Sequence, residues 1–563
     1  MKQPLPNGSA PVADIGDPRK WWILFAVSFG MFMALLDVTI VNIAIPTIMD
    51  DLSASVADVS WVISAYSLTL AVLFLSMGRV SDKFGQKRTF LAVGVVCFTI
   101  FSLLCGLAPN IQWLIVFRVG QGIGGAALAP ISLAILLGAF PARERGAAVG
   151  IWGAIGSVAG AVGPSLGGVI IQYLSWHWIF FVNVPVGIVA LLVGWRVIPN
   201  RPVAGAVRGV DLPGLGISAV GLFCLVLALI QGNDWGWTST RTLALFGVAI
   251  VSYPLFLWWE SHTETPMFDL RLLRIRSFTA ANSAMFFVGT AMGGAAFLLV
   301  LFLVSVLGYS ELQAALAITP MPLTGLVVAP FVGRLVDRVG PRIPGVVGAL
   351  FFVAGLVLLA QLDGEASATD AMWRTVLLGA GIGFSMPTFS AAAMGSLPPH
   401  VAGVGSGALN TLRQVGFSLG LAVVVAVFSH ALIVNSQEAA ASAVAYVQTR
   451  TELPAKTRAA ISAAILKQAD NPQEARAVVS GGSLPGVPAA APGTPAAATQ
   501  AEIGAAIAAI FRDTLARSFA WPFYAAAVAA ALAAIPALFT GRRLGEHEGH
   551  HELTRAQRIA ERQ

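Results

Sequence analysis

The chain has 563 residues, of which 56% are hydrophobic and only 11% are charged, and its mean hydropathy is +0.78. Soluble domains carry about 25% charged residues, so this composition excludes a soluble globular protein and places the chain in a membrane. The net charge of +6 does not indicate a nucleic-acid-binding protein, because the basic residues form short clusters between apolar stretches, which is the pattern of membrane topology.

Residues 1–20 are polar and rich in proline, and they lack the short apolar core and cleavage site of a signal peptide. Fourteen apolar stretches follow, each close to the about 20 residues that a helix needs to cross ~30 Å of hydrocarbon. They lie at 21–46, 59–78, 89–108, 111–137, 147–172, 177–198, 213–232, 242–259, 278–306, 312–333, 343–361, 373–394, 404–430 and 520–540.

An even number of spans puts both termini on one side of the membrane. Basic residues concentrate in the segments on that side, whereas the short loops on the other side hold only Arg241 and Arg374. Because cytoplasmic loops carry the excess of Lys and Arg, both termini are expected in the cytoplasm.

The long segment 431–519 separates the last two spans. It begins polar, includes a predicted amphipathic helix near 457–469, and becomes low-complexity in GGSLPGVPAAAPGTPAAATQ. Proline, alanine, glycine and serine at this density do not build a core, so a flexible extracytoplasmic loop is expected. A lid and a lipid-contacting hairpin are the alternatives.

Two parts of the chain carry the same signature. GRVSDKFGQKR, Gly78 to Arg88, follows the second span, and GRLVDRVGPR, Gly333 to Arg342, follows the tenth. Both read G-R-x-x-D-[KR]-x-G at the cytoplasmic end of a helix. This repeat indicates a duplicated helix bundle, as found in many transporters.

With these motifs the sequence resembles the major facilitator superfamily, and within it the fourteen-helix drug:proton antiporters. The resemblance covers nearly the whole chain apart from the tails and segment 431–519. The matching motifs are LLDVTIVNIAIP, GRVSDKFGQKR, IVFRVGQGIGGA, GSVAGAVGPSLGG, WHWIFFVNVPVG and GSGALNTLRQVGFSLG.

The resemblance implies an all-α membrane protein built from two six-helix bundles, at 21–198 and 277–540. Two extra transmembrane helices form a linker at 199–276, which gives fourteen in total. Residues 1–20 and 541–563 are then cytoplasmic tails, and the second bundle contains the loop 431–519.

Asp37 and Arg118 are ionisable residues inside predicted spans, at depths of about 15 Å and about 10 Å from the outer side. Such residues are costly in lipid, usually face the bundle interior and mark function. We interpret Asp37 as the proton-coupling carboxylate and Arg118 as its partner; a static ion pair is the alternative. Because the proton affinity of a carboxylate depends on hydration and neighbouring charge, Asp37 could bind either a proton or cationic cargo, but not both.

The substrate cavity is predicted to be lined by adaptable methionine and aromatic side chains, which suit varied lipophilic ligands. Packing or lipid contact is the alternative for each methionine and aromatic candidate. Gln121 could also orient the Asp37–Arg118 pair or form an ordinary interhelical hydrogen bond. Arg413 could set the charge of the cavity or anchor a lipid headgroup. The candidates are Met33, Trp61, Tyr66, Gln121, Phe286, Phe287, Met292, Met386, Phe389 and Arg413.

Glycines three or four residues apart in the fifth span predict one face for close helix packing. This stretch resembles the antiporter motif, with Gly156, Gly160, Gly163, Pro164, Gly167 and Gly168. The charged repeats resemble the cytoplasmic gate, with Gly78, Asp82, Lys83, Gly85, Lys87, Arg88, Asp337 and Arg338. The resemblance implies that Asp82 helps to latch the cytoplasmic side; a role in membrane topology is the alternative.

Together these features predict a multi-pass exporter of the bacterial inner membrane that exchanges protons for lipophilic, often cationic compounds by alternating access. We expect a monomer that contacts membrane lipids, with protons as the coupling ion, no cofactor, no metal and no nucleic-acid partner. An exporter of a lipid, siderophore or metabolite with the same fold is the alternative. An enzyme is disfavoured, because the sequence contains no paired acids or Ser/His set that would form a catalytic group.

Overall fold

The computed structural model of the protein describes residues 17–141, 144–199, 211–263, 266, 270–397, 402–469 and 495–541. Sixteen helices account for the bundle in these ranges, with one 3-10 turn at Leu270–Arg274. They are α1 Lys20–Asp51, α2 Val56–Phe84, α3 Gln86–Gly106, α4 Ile111–Ala139, α5 Arg145–Tyr173, α6 Trp178–Val197, α7 Leu212–Trp235, α8 Thr240–His262, α9 Arg276–Ser305, α10 Glu311–Val339, α11 Arg342–Leu359, α12 Ala368–Gly395, α13 Ala402–Thr449, α14 Ala455–Ala469, α15 Pro495–Ser518 and α16 Ala520–Ala537.

The predicted all-α membrane fold is confirmed. Within the described ranges, thirteen helical segments are long and apolar enough to cross a membrane, with α15 and α16 forming one of them. The predicted span that is not among these thirteen is the fifth, 147–172, which lies within α5.

Local sequence signals explain where several helices begin and end. Ser55 and Asp58 form a capping box at the start of α2, in which the Ser55 hydroxyl accepts from the Asp58 backbone N–H at 3.1 Å. At the other end, Gly85 has φ +93°, and Gly340 has φ +78° at the end of α10. These are the last glycines of the two repeated signatures, so both repeats end a helix with a left-handed glycine.

Two bundles of six membrane helices make up most of the structure, α1–α6 and α9–α13 with α16. Between them in sequence, α7 packs against α2 and α13, whereas α8 packs mainly against α7 and is largely exposed. The face of the bundle at which α1 begins is called the Lys20 end below, and the opposite face the Asp51 end. The Lys20 end is the one predicted to be cytoplasmic.

The prediction of a flexible loop at 431–519 is wrong for its described parts. α13 runs for 48 residues, about 72 Å at 1.5 Å per residue, which is more than twice the hydrocarbon thickness. Its end packs with α14 and α15 around a separate apolar core at the Asp51 end. That core contains Ala439, Ala440, Ala443, Val447, Ile461, Ile465, Ile503, Ile507 and Phe511.

Two features of the sequence account for this helical extension. Alanine is the strongest helix former, and it dominates both flanks of the segment. The pairs Ile461 with Ile465 and Ile503 with Ile507 repeat at the four-residue spacing that gives a helix an apolar stripe. The predicted amphipathic helix near 457–469 is confirmed as α14. Residues 470–494, which hold most of the low-complexity stretch, lie outside the described residues.

Candidate functional site

A buried ion pair joins α1 to α4. Arg118 Nη1 contacts Asp37 Oδ2, and the two side chains are 1% and 0% exposed. The Arg118 Nε also donates to the Val62 carbonyl on α2 at 3.0 Å. The predicted partnership of Asp37 and Arg118 is therefore present, and it ties three helices of the first bundle together.

Gln121 forms hydrogen bonds with both members of this ion pair. Its side-chain carbonyl accepts from Arg118 Nη1 at 2.7 Å, and its Nε2 donates to Asp37 Oδ1 at 2.8 Å. One turn separates Arg118 from Gln121 on α4, so a single helix face presents both groups. Of the roles open to Gln121 at the sequence level, the geometry supports orientation of the ion pair.

Two further polar residues extend the network and were missed by sequence reasoning. Ser102 on α3 accepts from Gln121 Nε2 at 3.2 Å and from Asn183 Nδ2 on α6 at 3.1 Å. Both residues are fully buried, and the Ser102 hydroxyl donates a hydrogen bond to the Phe180 carbonyl at 2.9 Å. Asn183 lies within the motif WHWIFFVNVPVG, where a lone asparagine in an apolar helix was the available signal.

Aromatic rings close the remaining sides of the ion pair. The Arg118 guanidinium carbon lies 4.2 Å from the centroid of Tyr66 and 5.9 Å from that of Phe180. Cation–π contact adds to charge pairing in this buried site. The network, defined here as Asp37, Arg118, Gln121, Ser102 and Asn183, is thus enclosed, charge-balanced and joined to four helices of the first bundle.

A separate cavity of about 550 Å³ lies between the two bundles, walled by α1 and α5 on one side and by α9, α10, α12 and α13 on the other. Six of the twelve methionines line it, namely Met31, Met285, Met292, Met321, Met386 and Met394. The other walls are apolar or small side chains, with the polar groups of Thr39, Asn42, Ser390, Asn410 and Arg413. A methionine-rich wall adapts its shape to ligands, so this cavity suits varied lipophilic molecules.

Opposite faces of α1 serve the network and the cavity. Leu35 and Thr39 line the cavity, whereas Asp37 is not among the lining residues and is fully buried. Two residues correspond to about 200° around a helix of 3.6 residues per turn, so Asp37 points away from the cavity. Direct competition of proton and cargo at the Asp37 carboxylate is therefore not the arrangement in this structure.

Of the predicted cavity residues, Met292, Met386 and Arg413 line the cavity and the others do not. Met33 and Phe389 are buried in the two bundles, and Trp61 packs on Phe223 of α7 with ring centroids 5.7 Å apart. The remaining candidates also serve other contacts: Tyr66 and Gln121 belong to the Arg118 environment, and Phe286 packs edge-on against Phe287. Residue type indicates an adaptable surface, but the helix phase decides which face lies on the cavity.

The antiporter motif on α5 packs against α1 as the small-residue stripe predicts. A Cβ on Gly163 would lie 2.0 Å from Thr39 Oγ1, and one on Gly167 would lie 2.9 Å from Ile40 Cγ1. Gly156 faces Leu35 in the same way, whereas Gly160 has nothing within 4 Å and lines the cavity with Pro164. Gly168 instead meets α10, where a Cβ would lie 2.8 Å from Ala315.

Contacts across the two bundles join them at the Asp51 end. The Thr47 hydroxyl donates to Glu311 Oε1 at 2.8 Å, and the Ser165 and Thr319 hydroxyls lie 2.7 Å apart. Together with the close approach of Gly168 to α10, these contacts bring α1 and α5 against α10. The cavity therefore lies on the Lys20 side of a closed Asp51 end.

The predicted gate residues lie at the Lys20 end, and the structure describes the side chains of some of them. Lys87 donates to the Trp195 carbonyl at 2.7 Å, while Arg88, Asp337 and Arg338 are exposed. Gly85 adopts the left-handed turn that ends α2. The side chains of Asp82 and Lys83 and the packing around Gly78 lie outside what the structure describes, so the latch role of Asp82 stays a prediction.

Comparison with known proteins identifies the family. The model of the Major Facilitator Superfamily matches residues 27–421. The chain belongs to the major facilitator superfamily. Its bacterial relatives and its apolar spans make it a multi-pass transporter of the bacterial cell membrane rather than an enzyme.

Relatives of this superfamily member include drug-resistance exporters. A tetracenomycin C resistance and export protein of Streptomyces glaucescens is 35% identical over 407 residues, which cover 72% of this chain and 75% of that protein. The multidrug resistance protein Stp of Mycobacterium tuberculosis is 36% identical over 401 residues, covering 71% and 74%. The fold is similar to that of a bacterial homologue of the lysosomal transporter Spinster, with a TM-score of 0.59, 18% identity and coverage of 93% and 98%.

Proposed function

We propose that the protein exports lipophilic small molecules in exchange for protons, by alternating access of the cavity between the bundles. The observation that carries this proposal is the enclosed Asp37–Arg118 network beside a methionine-rich cavity, with α1 common to both. The drug-export function in the names of the relatives supports the same class of cargo.

Proton binding at Asp37 would be linked to conformation by the charge of Arg118. When Asp37 takes up a proton, the Arg118 guanidinium loses its counter-charge while it is still buried. An unpaired buried charge is strongly unfavourable, so the protonated protein favours a conformation in which Arg118 reaches water or a new partner. A proton then shifts the balance between conformations by its different affinity for each.

Helix α1 would carry this change to the cavity. Asp37 is held on one face of α1, and Leu35 and Thr39 on the other face contact α5 at Gly156 and Gly163. Because these side chains are in close contact, a movement of α1 at Asp37 also moves the cavity wall that α1 and α5 build. Coupling is then mechanical, with proton and cargo at separate places.

Proton flux in proteoliposomes tests the proposal. Liposomes that contain the pH indicator pyranine receive a lipophilic dye, either sulforhodamine B, a net anion, or rhodamine 3B, a net cation with the same tetraethylxanthene ring system. We expect at least one dye to drive proton movement with the wild-type protein and none to do so with Asp37→Asn.

Asp50→Asn is the matched control, since Asp50 lies on the same helix but is exposed at its end. It should retain proton flux at the wild-type rate. Equal flux in Asp37→Asn and the wild type would refute the role of Asp37, and transport of either dye without any proton movement would refute antiport.

A second candidate is export of a lipid or metabolite by the same fold, and one observation favours it. The helical extension of α13, α14 and α15 builds a surface beyond the membrane thickness at the Asp51 end. Such a surface offers an amphipathic molecule contact after it leaves the cavity. Fluorescent phospholipid transfer in the same proteoliposomes, with no response to either dye, would favour this candidate.

A further inference from the structure

The cavity wall carries a positive charge. Among the described residues that line the cavity, Arg413 is the ionisable one. We propose that Arg413 together with Asn410 forms an anion-binding site, so that the preferred cargo is a lipophilic organic anion, such as an aromatic carboxylate or sulfonate. This inference rests on the proposed export function and names its substrate class; it differs from the cationic cargo that the sequence resemblance predicts.

The backbone of Arg413 is held in a fixed place by a close contact between α9 and α13. A Cβ on Gly289 of α9 would lie 2.2 Å from the Arg413 carbonyl oxygen, and one on Gly416 would lie 2.1 Å from the Phe286 carbonyl oxygen. Two helices that touch through their backbones leave little freedom to the residues between them. Arg413 therefore extends into the cavity from a rigid support.

The guanidinium retains capacity to bind a ligand. Its one side-chain hydrogen bond given by the described residues runs from Nη2 to Asn410 Oδ1 at 3.4 Å, near the limit of such a bond. In the described part of the chain no carboxylate forms an ion pair with it, whereas Arg118 has Asp37. An arginine has five N–H donors in a planar fork that matches a carboxylate or sulfonate.

The surroundings of Arg413 strengthen its preference for an anion. Met386, Met394 and Leu409 share the wall with it, so the local medium is poor in water and in compensating charge. Charge interactions are stronger in such a medium than in water, so an anion is attracted and a cation is repelled by more than at a surface. The volume of about 550 Å³ accommodates an aromatic compound of drug size.

Equilibrium binding to the full-length protein in lipid nanodiscs tests the inference. Fluorescence anisotropy titrations use sulforhodamine B and rhodamine 3B, with empty nanodiscs as the background. We expect the wild type to prefer the anionic dye, and Arg413→Gln to raise its Kd by about tenfold or more, since a charge-assisted hydrogen bond is lost. Binding of rhodamine 3B should stay the same or become tighter.

Two more variants separate charge from structure. Asn410→Asp places a carboxylate beside Arg413. This change should weaken binding of the anionic dye without removing the arginine. Arg374→Gln is the matched control, because Arg374 lies on α12 outside the cavity, with its guanidinium carbon 5.0 Å from the Trp373 ring centroid. It should bind both dyes as the wild type does. Size-exclusion profiles and helix content confirm that each variant folds.

The outcomes distinguish this inference from the proposed function. Three results would overturn the anion site. They are equally weakened binding of both dyes to Arg413→Gln, unchanged binding of sulforhodamine B to that variant, and a preference of the wild type for rhodamine 3B. Equilibrium binding requires no proton, so a protein that binds the anion through Arg413 but moves no protons refutes antiport and leaves the anion site standing.

Discussion

Arg118 and Arg413 lie within membrane helices of opposite bundles, and their environments differ in every respect that matters for charge. Arg118 is 1% exposed, pairs with Asp37, bonds to Gln121 and the Val62 carbonyl, and lies over the Tyr66 ring. Arg413 lies on the wall of the central cavity, and the side-chain hydrogen bond that it makes among the described residues is a long one, to Asn410 at 3.4 Å. The first bundle thus compensates its buried charge, and the second exposes its charge to the cavity.

This difference separates two tasks that one residue type can perform. A compensated, enclosed charge resists change until a proton alters the balance, which suits a coupling site. An uncompensated charge in a water-poor cavity is available to a ligand of opposite sign, which suits a selectivity site. The structure assigns these tasks to different bundles, so variants of the two arginines should have different consequences.

The largest expected effect is that of Arg118→Leu on stability. This change leaves the Asp37 carboxylate buried without its counter-charge, and breaking a buried pair from one side costs about 3–5 kcal/mol. Unfolding in mixed micelles titrated with sodium dodecyl sulfate measures the loss.

The double variant Arg118→Leu with Asp37→Leu is the control. Replacement of both partners by apolar residues removes the buried charge, so the double variant should be more stable than Arg118→Leu alone. If the double variant is less stable than either single variant, the pair is a stabilising element and the comparison loses its basis.

A smaller effect is expected at the contact between α1 and α5. Gly163→Ala forces a Cβ to within 2.0 Å of Thr39 Oγ1, and overpacking of this kind costs about 1–3 kcal/mol. Because the contact also links Asp37 to the cavity wall, dye-driven proton flux should fall with stability. Both are measured in the same preparations.

Gly160→Ala provides the matched control on the same helix. A Cβ there meets nothing within 4 Å, and alanine favours a helix over glycine by about 0.5–1 kcal/mol. Stability should therefore be kept or raised. Equal damage from Gly160→Ala would show that α5 tolerates no substitution at all, and not that Gly163 has a special contact.

The smallest effect on stability is expected for Arg413→Leu. Among the described residues no carboxylate loses a partner in this change, and substitutions that break no buried pair or packing contact usually alter stability by no more than about 0.5 kcal/mol. The same micelle titration compares it with Arg118→Leu. A loss as large as that of Arg118→Leu would mean that Arg413 is structural, contrary to its assignment as a ligand-binding group.

The sequence predicts the coupling site well and the cavity poorly, for a physical reason. An Asp and an Arg inside apolar spans are costly, so their presence alone predicts that they find each other, as Asp37 and Arg118 do. Methionine and aromatic residues occur on any buried helix face, so residue type does not distinguish a cavity wall from the packed interior of a bundle. Met33 and Phe389 were therefore predicted for the cavity but are packed within the bundles.

Helix phase is the information that could have improved this prediction. Met31, Leu35 and Thr39 repeat every four residues along one face of α1, and that face carries the cavity. Aligning this stripe with the glycine face of α5 would have placed Asp37 on the opposite side. The polar partners Ser102 and Asn183 required the packing of α3 and α6 against α4, which no single stretch of sequence encodes.

The helical extension within 431–519 shows a different limit of prediction from sequence. The average composition of this segment predicts a flexible loop, because the low-complexity stretch dominates it and hides the helix propensity of its alanine-rich flanks. The flanks form helices because alanine favours them, and the isoleucine pairs at 461 and 465 and at 503 and 507 supply a small shared core. Local helix propensity and hydrophobic periodicity, rather than average composition, predict these helices.

The central claim is that proton and cargo are handled on opposite faces of α1, and one measurement tests it most directly. Asp37→Asn is reconstituted, and proton flux and the Kd for sulforhodamine B are measured on the same preparation. The account predicts that proton flux is lost while the Kd changes by less than about threefold, a shift below the 1.4 kcal/mol of a tenfold change. If Asp37→Asn abolishes dye binding together with proton flux, Asp37 contacts the cargo and the two sites are one.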